Sequence, residues 1–256
     1  MKTPIKDKTR ISKSTSTLKH LIPRGKIVDT YLFYGGEQEI NLCHSGRTIN
    51  AHTNRLVVYK FWETLLEDSR RVERSVEGIL NTYGKVPIAT LQRDWLIEKD
   101  RWASAALFFV LNYFSSEGLI SSGVSDKTSI DPMSLFYLKT FADIEGFSIA
   151  YCPWEDITSL FDENTDCDYI FVPCSSFNYN LFEYGKNRGI EQSIVRHKQM
   201  RDTLRQIDKK WIVGYNYHKD LCDFYAKENV LMIDNYGNIT EQENKCAEVL
   251  LYNFEQ

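Results

Sequence analysis

The residues with the most chemical potential stand together in the run Asp168-Tyr169-Ile170-Phe171-Val172-Pro173-Cys174-Ser175-Ser176-Phe177. Residues 168–172 read as a short buried strand that stops at a proline and opens into a polar loop. In a parallel α/β sheet, ligands and reacting groups gather at the carboxyl end of such a strand. Cys174, flanked by Ser175 and Ser176, is a nucleophile only if a nearby base lowers its pKa. His52 and His197 are the conceivable bases, and the sequence places neither beside it. A buried structural cysteine is the plainer reading. A second feature is the turn Tyr34-Gly35-Gly36-Glu37 after the apolar stretch 26–33. Glycines there let backbone approach a cofactor or phosphate, and an ordinary structural turn fits equally well. His20, His44 and His218 lack metal-ligand spacing, so no metal site is assigned.

Composition narrows the function classes. The 256 residues suit one larger domain, or a core domain with a sizeable insertion. A net charge of −4 excludes a globally basic nucleic-acid binder, yet residues 1–26 hold eight Lys/Arg against one acid, Asp7. A local basic arm of this kind can touch phosphate, and a solvated terminus would look the same. With 43% hydrophobic and 26% charged residues, the chain is not disordered as a whole. The six cysteines lie far apart without a CxxC pair, against a zinc ribbon or a disulfide scaffold. With no signal peptide in the sequence, free thiols in a reducing cytoplasm are expected. No apolar run approaches the ~18 residues that cross a membrane, so no membrane contact is expected.

The elements that must position these residues follow from periodicity. Strands are expected at 26–33, 47–51, 147–151, 168–172, 211–215, 230–235 and 247–254. Helices are expected at 54–66, 72–80, 87–111, 133–144 and 220–227, with a short acidic helix ending at Phe161 and a charged amphipathic one at 191–207. Residues 112–131 and 177–190 read as long polar loops, which are often functional. From Phe147 onward strands alternate with helices, which predicts an α/β sheet.

In this order, the chain resembles the Dam-type adenine-N6 DNA methyltransferases along most of its length. Ser12-Lys13 with Leu21-Ile22-Pro23 resembles the segment before that family's cofactor loop, and Phe33-Tyr34-Gly35-Gly36-Glu37 resembles its Phe-x-Gly-Gly-Gly loop. Ile49-Asn50-Ala51-His52-Thr53 is similar to its Asn-Asp-x-Asn strand end. Residues 105–112 and 114–125 resemble the insertion that recognises DNA; Tyr184-Gly185, His197, 211–216 and 248–253 match the downstream helix and strands. The resemblance implies a Rossmann-like methyltransferase sheet with a helical and loop insertion. Its parts would be a basic arm at 1–26, a core at 27–80 and 147–256, and the insertion at 81–146.

The family flips its target adenine out of the duplex, stacks it on an aromatic ring, and holds the amine with an Asp-Pro-Pro-Tyr motif. Those acceptors stabilise the positive charge that develops as nitrogen attacks the methyl group. Here Pro173-Cys174-Ser175-Ser176-Phe177 stands in the motif's place, with only Phe177 able to stack. The acid expected after Asn50 is Ala51, the acid before Trp154 is Pro153, and the third loop glycine is Glu37. Losing several charge-assisted acceptors, each worth ~1.5–3 kcal/mol, removes orders of magnitude in rate or affinity.

The expectation is therefore a catalytically inactive methyltransferase-like protein without a cofactor, in a bacterial or phage-infected cell. It would bind double-stranded DNA or pair as a heterodimer with an active methyltransferase subunit. Vestigial cofactor contacts are expected at Phe33, Gly35, Gly36 and Asn50, and DNA contacts at Lys13, Lys19, Ser121, Ser122, Lys186 and Arg188. The alternative is a divergent, active S-adenosylmethionine-dependent enzyme in which Asp156, Glu155 or Asp168 supplies a displaced carboxylate.

Overall fold

The computed structural model describes residues 2–7, 11–83, 87–115, 130–141, 144–152, 166–177, 180–184 and 190–255. In chain order the elements are α1 (Thr15–Leu21), β1 (Ile27–Tyr31), α2 (Glu37–His44), β2 (Thr48–Thr53), α3 (Leu56–Glu67), α4 (Ser69–Tyr83), α5 (Ile88–Ile97), α6 (Arg101–Phe114) and α7 (Pro132–Thr140). They continue as β3 (Phe147–Tyr151), β4 (Tyr169–Ser175), β5 (Asn180–Tyr184), β6 (Ile190–Ile194), α8 (His197–Leu204), β7 (Lys210–Asn216), α9 (Leu221–Phe224), β8 (Asn229–Asp234) and β9 (Cys246–Tyr252). Two compact units result. One holds Met1–Lys8, Arg55–Glu145 and Leu181–Ser193, and the other holds Thr9–Asn54, Gly146–Asn180 and Ile194–Gln256. The division at Arg55 groups α3 and α4 with the later helices, where the sequence reading drew its boundary after residue 80. Among the described residues no helix is long and apolar enough to cross a membrane.

The sheet unit is α/β, with a seven-stranded sheet in the order β3-β2-β1-β4-β7-β9-β8. All neighbours are parallel except β9, which runs antiparallel to both β7 and β8. The chain lays β1, β2 and β3 outward in one direction, then returns to place β4 on the other side of β1. That reversal makes the carboxyl ends of β1 and β4 a topological switch point, the usual ligand crevice of a doubly wound sheet. Val28, Ile49, Ile170, Val172, Ile212 and Val213 are wholly buried, as expected of strands in the middle of a parallel sheet.

In the helical unit, α6 is apolar almost all round and buried along most of its length, so it forms the unit's centre. Phe108 stacks on Phe61 of α3 with centroids 4.8 Å apart, and Trp62 lies 5.1 Å from Phe141. The polar exception on α6 is Asn112, which is wholly buried. Its Oδ1 accepts from the Lys6 backbone N–H at 2.7 Å, and its Nδ2 donates to the Lys6 carbonyl at 2.9 Å. Tyr113 donates to the Pro4 carbonyl at 2.7 Å.

The stretch 1–26, expected as a basic arm, also carries apolar residues that pack. Ile5, Ile11, Leu18, Leu21 and Ile22 are buried, so the described part of this stretch is built into the two units by its apolar residues. The helix expected at 87–111 is two helices. Asp100 caps α6 by accepting from the Ala103 N–H, while the Glu98 carboxylate accepts from the Lys99 and Asp100 N–H groups. The strand expected to stop at Pro173 runs on to Ser175. Pairing with β1 ends at Phe171, so the missing proline N–H falls beyond that ladder, while pairing with β7 continues.

The helix expected at 191–207 begins only at His197. Residues 190–194 form β6, which pairs with β5 in a two-stranded sheet; β5 lies in the stretch expected as a loop, and β6 takes the start of the stretch expected as a helix. The helix expected at 220–227 is the single turn α9, and the acidic helix ending at Phe161 falls outside the described residues.

Candidate functional site at the strand tips

The tip of β4 is shaped by an irregularity. The register with β7 shifts between Pro173 and Ser175, and Ser175 takes φ 59°, a left-handed conformation uncommon for a residue with a side chain. Cys174 points into the core at 1% exposure, with its thiol 3.8 Å from the Met200 sulfur. Burial pushes that thiol up to about 12, so it is not a thiolate at neutral pH. Cys174 is therefore a packing residue rather than a nucleophile. In folded protein at pH 8 it should resist iodoacetamide and react only on unfolding. Mass mapping that finds native alkylation at Cys174 would contradict this.

Phe177 lies beyond the bulge in a cluster of rings. Its centroid is 4.8 Å from His197, 5.3 Å from His218, 5.2 Å from Phe224 and 5.9 Å from Tyr215. His197 opens α8, its Nδ1 2.9 Å from the Tyr215 hydroxyl, which is in turn 3.1 Å from the Tyr225 hydroxyl. Among the described residues the buried His197 Nε2 has no hydrogen-bond partner. Burial lowers the histidine pKa to about 4, and it raises the Tyr215 and Tyr225 phenols above their usual range. Thus Cys174, His197, Tyr215 and Tyr225 are all neutral at pH 7. Beside them, a cleft of about 710 Å³ runs along α8, lined by Arg196, His197, Lys198, Gln199, Thr203 and Gln206 among others.

The folded-state pKa of His197 lies below the usual 6.5. The stability this gives is complete above pH 6.5 and is lost as pH falls toward 4. Allowing for partial exposure, the wild-type chain should lose about 1–2 kcal/mol from this group between pH 7 and 4.5. Urea titrations of wild type and His197→Asn at both pH values measure it. An equal acid loss in the two proteins would remove His197 as the cause.

At the tip of β1, the turn expected as a cradle has Gly36 in the left-handed region at φ 62°, capping α2. Phe33 and Tyr34 are buried, and Gln38 in the first turn of α2 is 2% exposed. Gln38 donates to the Ile11 carbonyl at 3.0 Å, and the Thr15 hydroxyl donates to Gln38 Oε1 at 2.9 Å. Ile11 packs on Gly214 of β7, where any side chain would meet it. Segment 11–15 therefore runs from the first turn of α2 across to β7, on the same face of the sheet.

The sequence-predicted residues separate into three groups. Phe33, Gly35 and Gly36 sit at the end of β1, next to the β4 tip with Pro173, Cys174, Ser175, Ser176 and Phe177. Asn50 does not join them. It lies mid-strand in β2, which runs on to Thr53, and it bridges neighbouring strands: its Nδ2 donates to Asp29 at 2.9 Å and its Oδ1 accepts from Ser148 at 3.2 Å. Lys13 is exposed and Lys19 half-buried, both in the packed segment that leads into and through α1. Ser121, Ser122, Lys186 and Arg188, and likewise Pro153, Glu155 and Asp156, lie outside the described residues. Asp168 is at the amino end of β4, where Lys26 at 2.8 Å and the Ile27 N–H at 2.9 Å hold its carboxyl below the usual range. It is a strand-end brace at the wrong end for chemistry at the tip.

In the sequence, Tyr215 stands out only as a family position, and His197 as a family position and a conceivable base for Cys174. Their pairing with Tyr225 was not read, because a helix start and two distant segments show no shared local pattern. Fold and site define an α/β protein with a doubly wound mixed sheet and a neutral, aromatic β4 tip. Compared with known proteins, the chain is matched by no family model and by no curated protein.

Proposed function

We propose that this chain is a catalytically inactive protein of the Dam-type adenine-N6 DNA methyltransferase kind, which binds double-stranded DNA or supports an active methyltransferase subunit. The observation that carries the reading is the β4 tip. Where amine activation needs a charge-assisted acceptor, the chain presents Pro173 and a buried neutral thiol, backed by a histidine and two tyrosines that are also neutral. Such a tip cannot balance positive charge developing on an attacking nitrogen. The doubly wound strand order and the glycine turn beside β4 support the family part of the reading.

S-adenosylmethionine fits this edge poorly as a resident cofactor. The Asn50 side chain is committed to Asp29 and Ser148, and Glu37 and Gln38 put buried polar side chains in the turn where close backbone approach is needed. Incubating the chain with methyl-labelled S-adenosylmethionine and adenine-containing duplex should give no label in DNA. Duplex affinity should fall steeply between 50 and 200 mM salt, as phosphate contacts require. Label transfer to adenine would establish the active alternative, and binding indifferent to salt would exclude the DNA role.

A further inference from the structure

A second cleft lies beside α1, with no part in the reading above. It encloses about 630 Å³ and is lined by Leu21, Tyr169, Lys210, Leu231, Ile239 and Phe254 among others. Tyr169 and Lys210 are the first residues of β4 and β7, so this part of the cleft lies at the amino ends of those strands, away from the Phe177 tip. The volume is that of a small-molecule site. Leu21, Leu231 and Phe254 give it apolar walls, and Ile239 stands at its edge 62% exposed, with much of its apolar surface uncovered.

Lys210 gives the cleft its chemistry. Its ammonium is 5.6 Å from the Tyr169 ring centroid and 5.4 Å from that of Phe254, and the two rings meet edge to face at 5.6 Å. The rings fix the direction of an otherwise flexible side chain. Among the described residues no carboxylate pairs with this ammonium; Glu255 lines the same cleft without forming an ion pair to it. An oriented cation without a counter-ion, beside an apolar cavity of this size, complements a molecule with an anionic head and an apolar body.

We infer that this cleft binds a small amphipathic anion, with a carboxylate, sulfonate or phosphate on Lys210 and an apolar body against Leu231, Ile239 and Phe254. The test titrates the full chain with 1-anilinonaphthalene-8-sulfonate, whose fluorescence rises in apolar sites. One dye per chain is expected, with affinity about tenfold weaker in Lys210→Gln and in Ile239→Asp. Both positions are exposed, and thermal midpoints equal to wild type confirm that each variant is folded. Decanoate and 1-naphthoate compete for the same site, and the stronger competitor shows whether a chain or a ring is preferred. Decylammonium should not displace the dye. Dye affinity unchanged in both variants, displacement by decylammonium as effective as by decanoate, or failure of the dye to bind at unit stoichiometry would each overturn the assignment.

Discussion

Glu248→Ala is expected to destabilise the chain by about 3–4 kcal/mol, one of the two largest effects of any single substitution considered. Glu248 lies on β9 and is 4% exposed. Its carboxylate gathers three successive backbone donors: Oε1 accepts from the Ser12 and Lys13 N–H groups at 2.7 and 2.9 Å, and Oε2 accepts from Ser14 at 2.8 Å. The charge is matched by three aligned dipoles, and the chain entering α1 is fixed by them. Alanine strands all three donors. Ser14 is wholly buried, whereas Ser12 and Lys13 can recover water, which keeps the cost below three full desolvation penalties. Glu248→Gln retains one oxygen and turns an NH₂ toward a donor, so about 2 kcal/mol is expected. Urea unfolding of the three proteins gives the order wild type, Gln, Ala. An alanine variant within 1 kcal/mol of wild type would mean the triple contact is not what anchors segment 11–15.

That contact shows where sequence legibility ends. The strands were readable because their residues are β-branched or aromatic runs bounded by turns: Phe147-Ser148-Ile149-Ala150-Tyr151 was placed residue for residue. Helix α3 was readable from Val57, Phe61 and Leu65 at helical spacing. Residues 190–194 read as helix because Ile190 and Ile194 stand four apart, a helical spacing that continues into the charged helix after them, and no apolar residue at 192 marks a strand face. In residues 1–26 charge dominates a residue count, while Ile5, Ile11, Leu18, Leu21 and Ile22 are the side chains that pack. Glu248 reads as one polar residue in a strand, and nothing local says that it answers donors more than 230 residues away.

The site was legible to a similar depth. The strand tip and glycine turn were found because each is a local event, a proline or paired glycines ending an apolar run, and the sheet order then sets them side by side. The strand-end expectation for Asn50 comes from the resemblance of residues 49–53 to the family's Asn-Asp-x-Asn motif. The local sequence does not show that Asp29, Asn50 and Ser148 stand opposite one another in register on three neighbouring strands. Phe177 was expected to meet a base, and its surroundings of His197, His218 and Phe224 were invisible because they come from three separate segments.

Arg47→Met should cost about 3 kcal/mol, for a reason opposite in sign to that at Glu248. Arg47 is 5% exposed, and its guanidinium makes no ion pair among the described residues. It is answered by carbonyls: Nε donates to Ile22 at 3.0 Å, Nη1 to Ser45 at 2.7 Å, and Nη2 to Lys19 at 2.6 Å as well as to Ile22. Lys19 and Ile22 belong to the last turn and cap of α1, where the helix dipole is negative, and Ser45 caps α2 in the same way. Burial and the nearby Arg24 pull the guanidinium pKa down, but arginine stays charged far above neutral pH. Methionine keeps the volume of the stem and removes every donor, leaving carbonyls from two helix ends unanswered. Arg47→Lys keeps the charge and loses the planar fork, so it can serve one or two of the carbonyls and should cost about half as much. Urea unfolding should therefore rank wild type above Lys and Lys above Met, with amide exchange rising first at Ile22 and Ser45. Equal stability of the Lys and Met variants would show that charge at this helix end does little and that the fork alone holds α1 against α2.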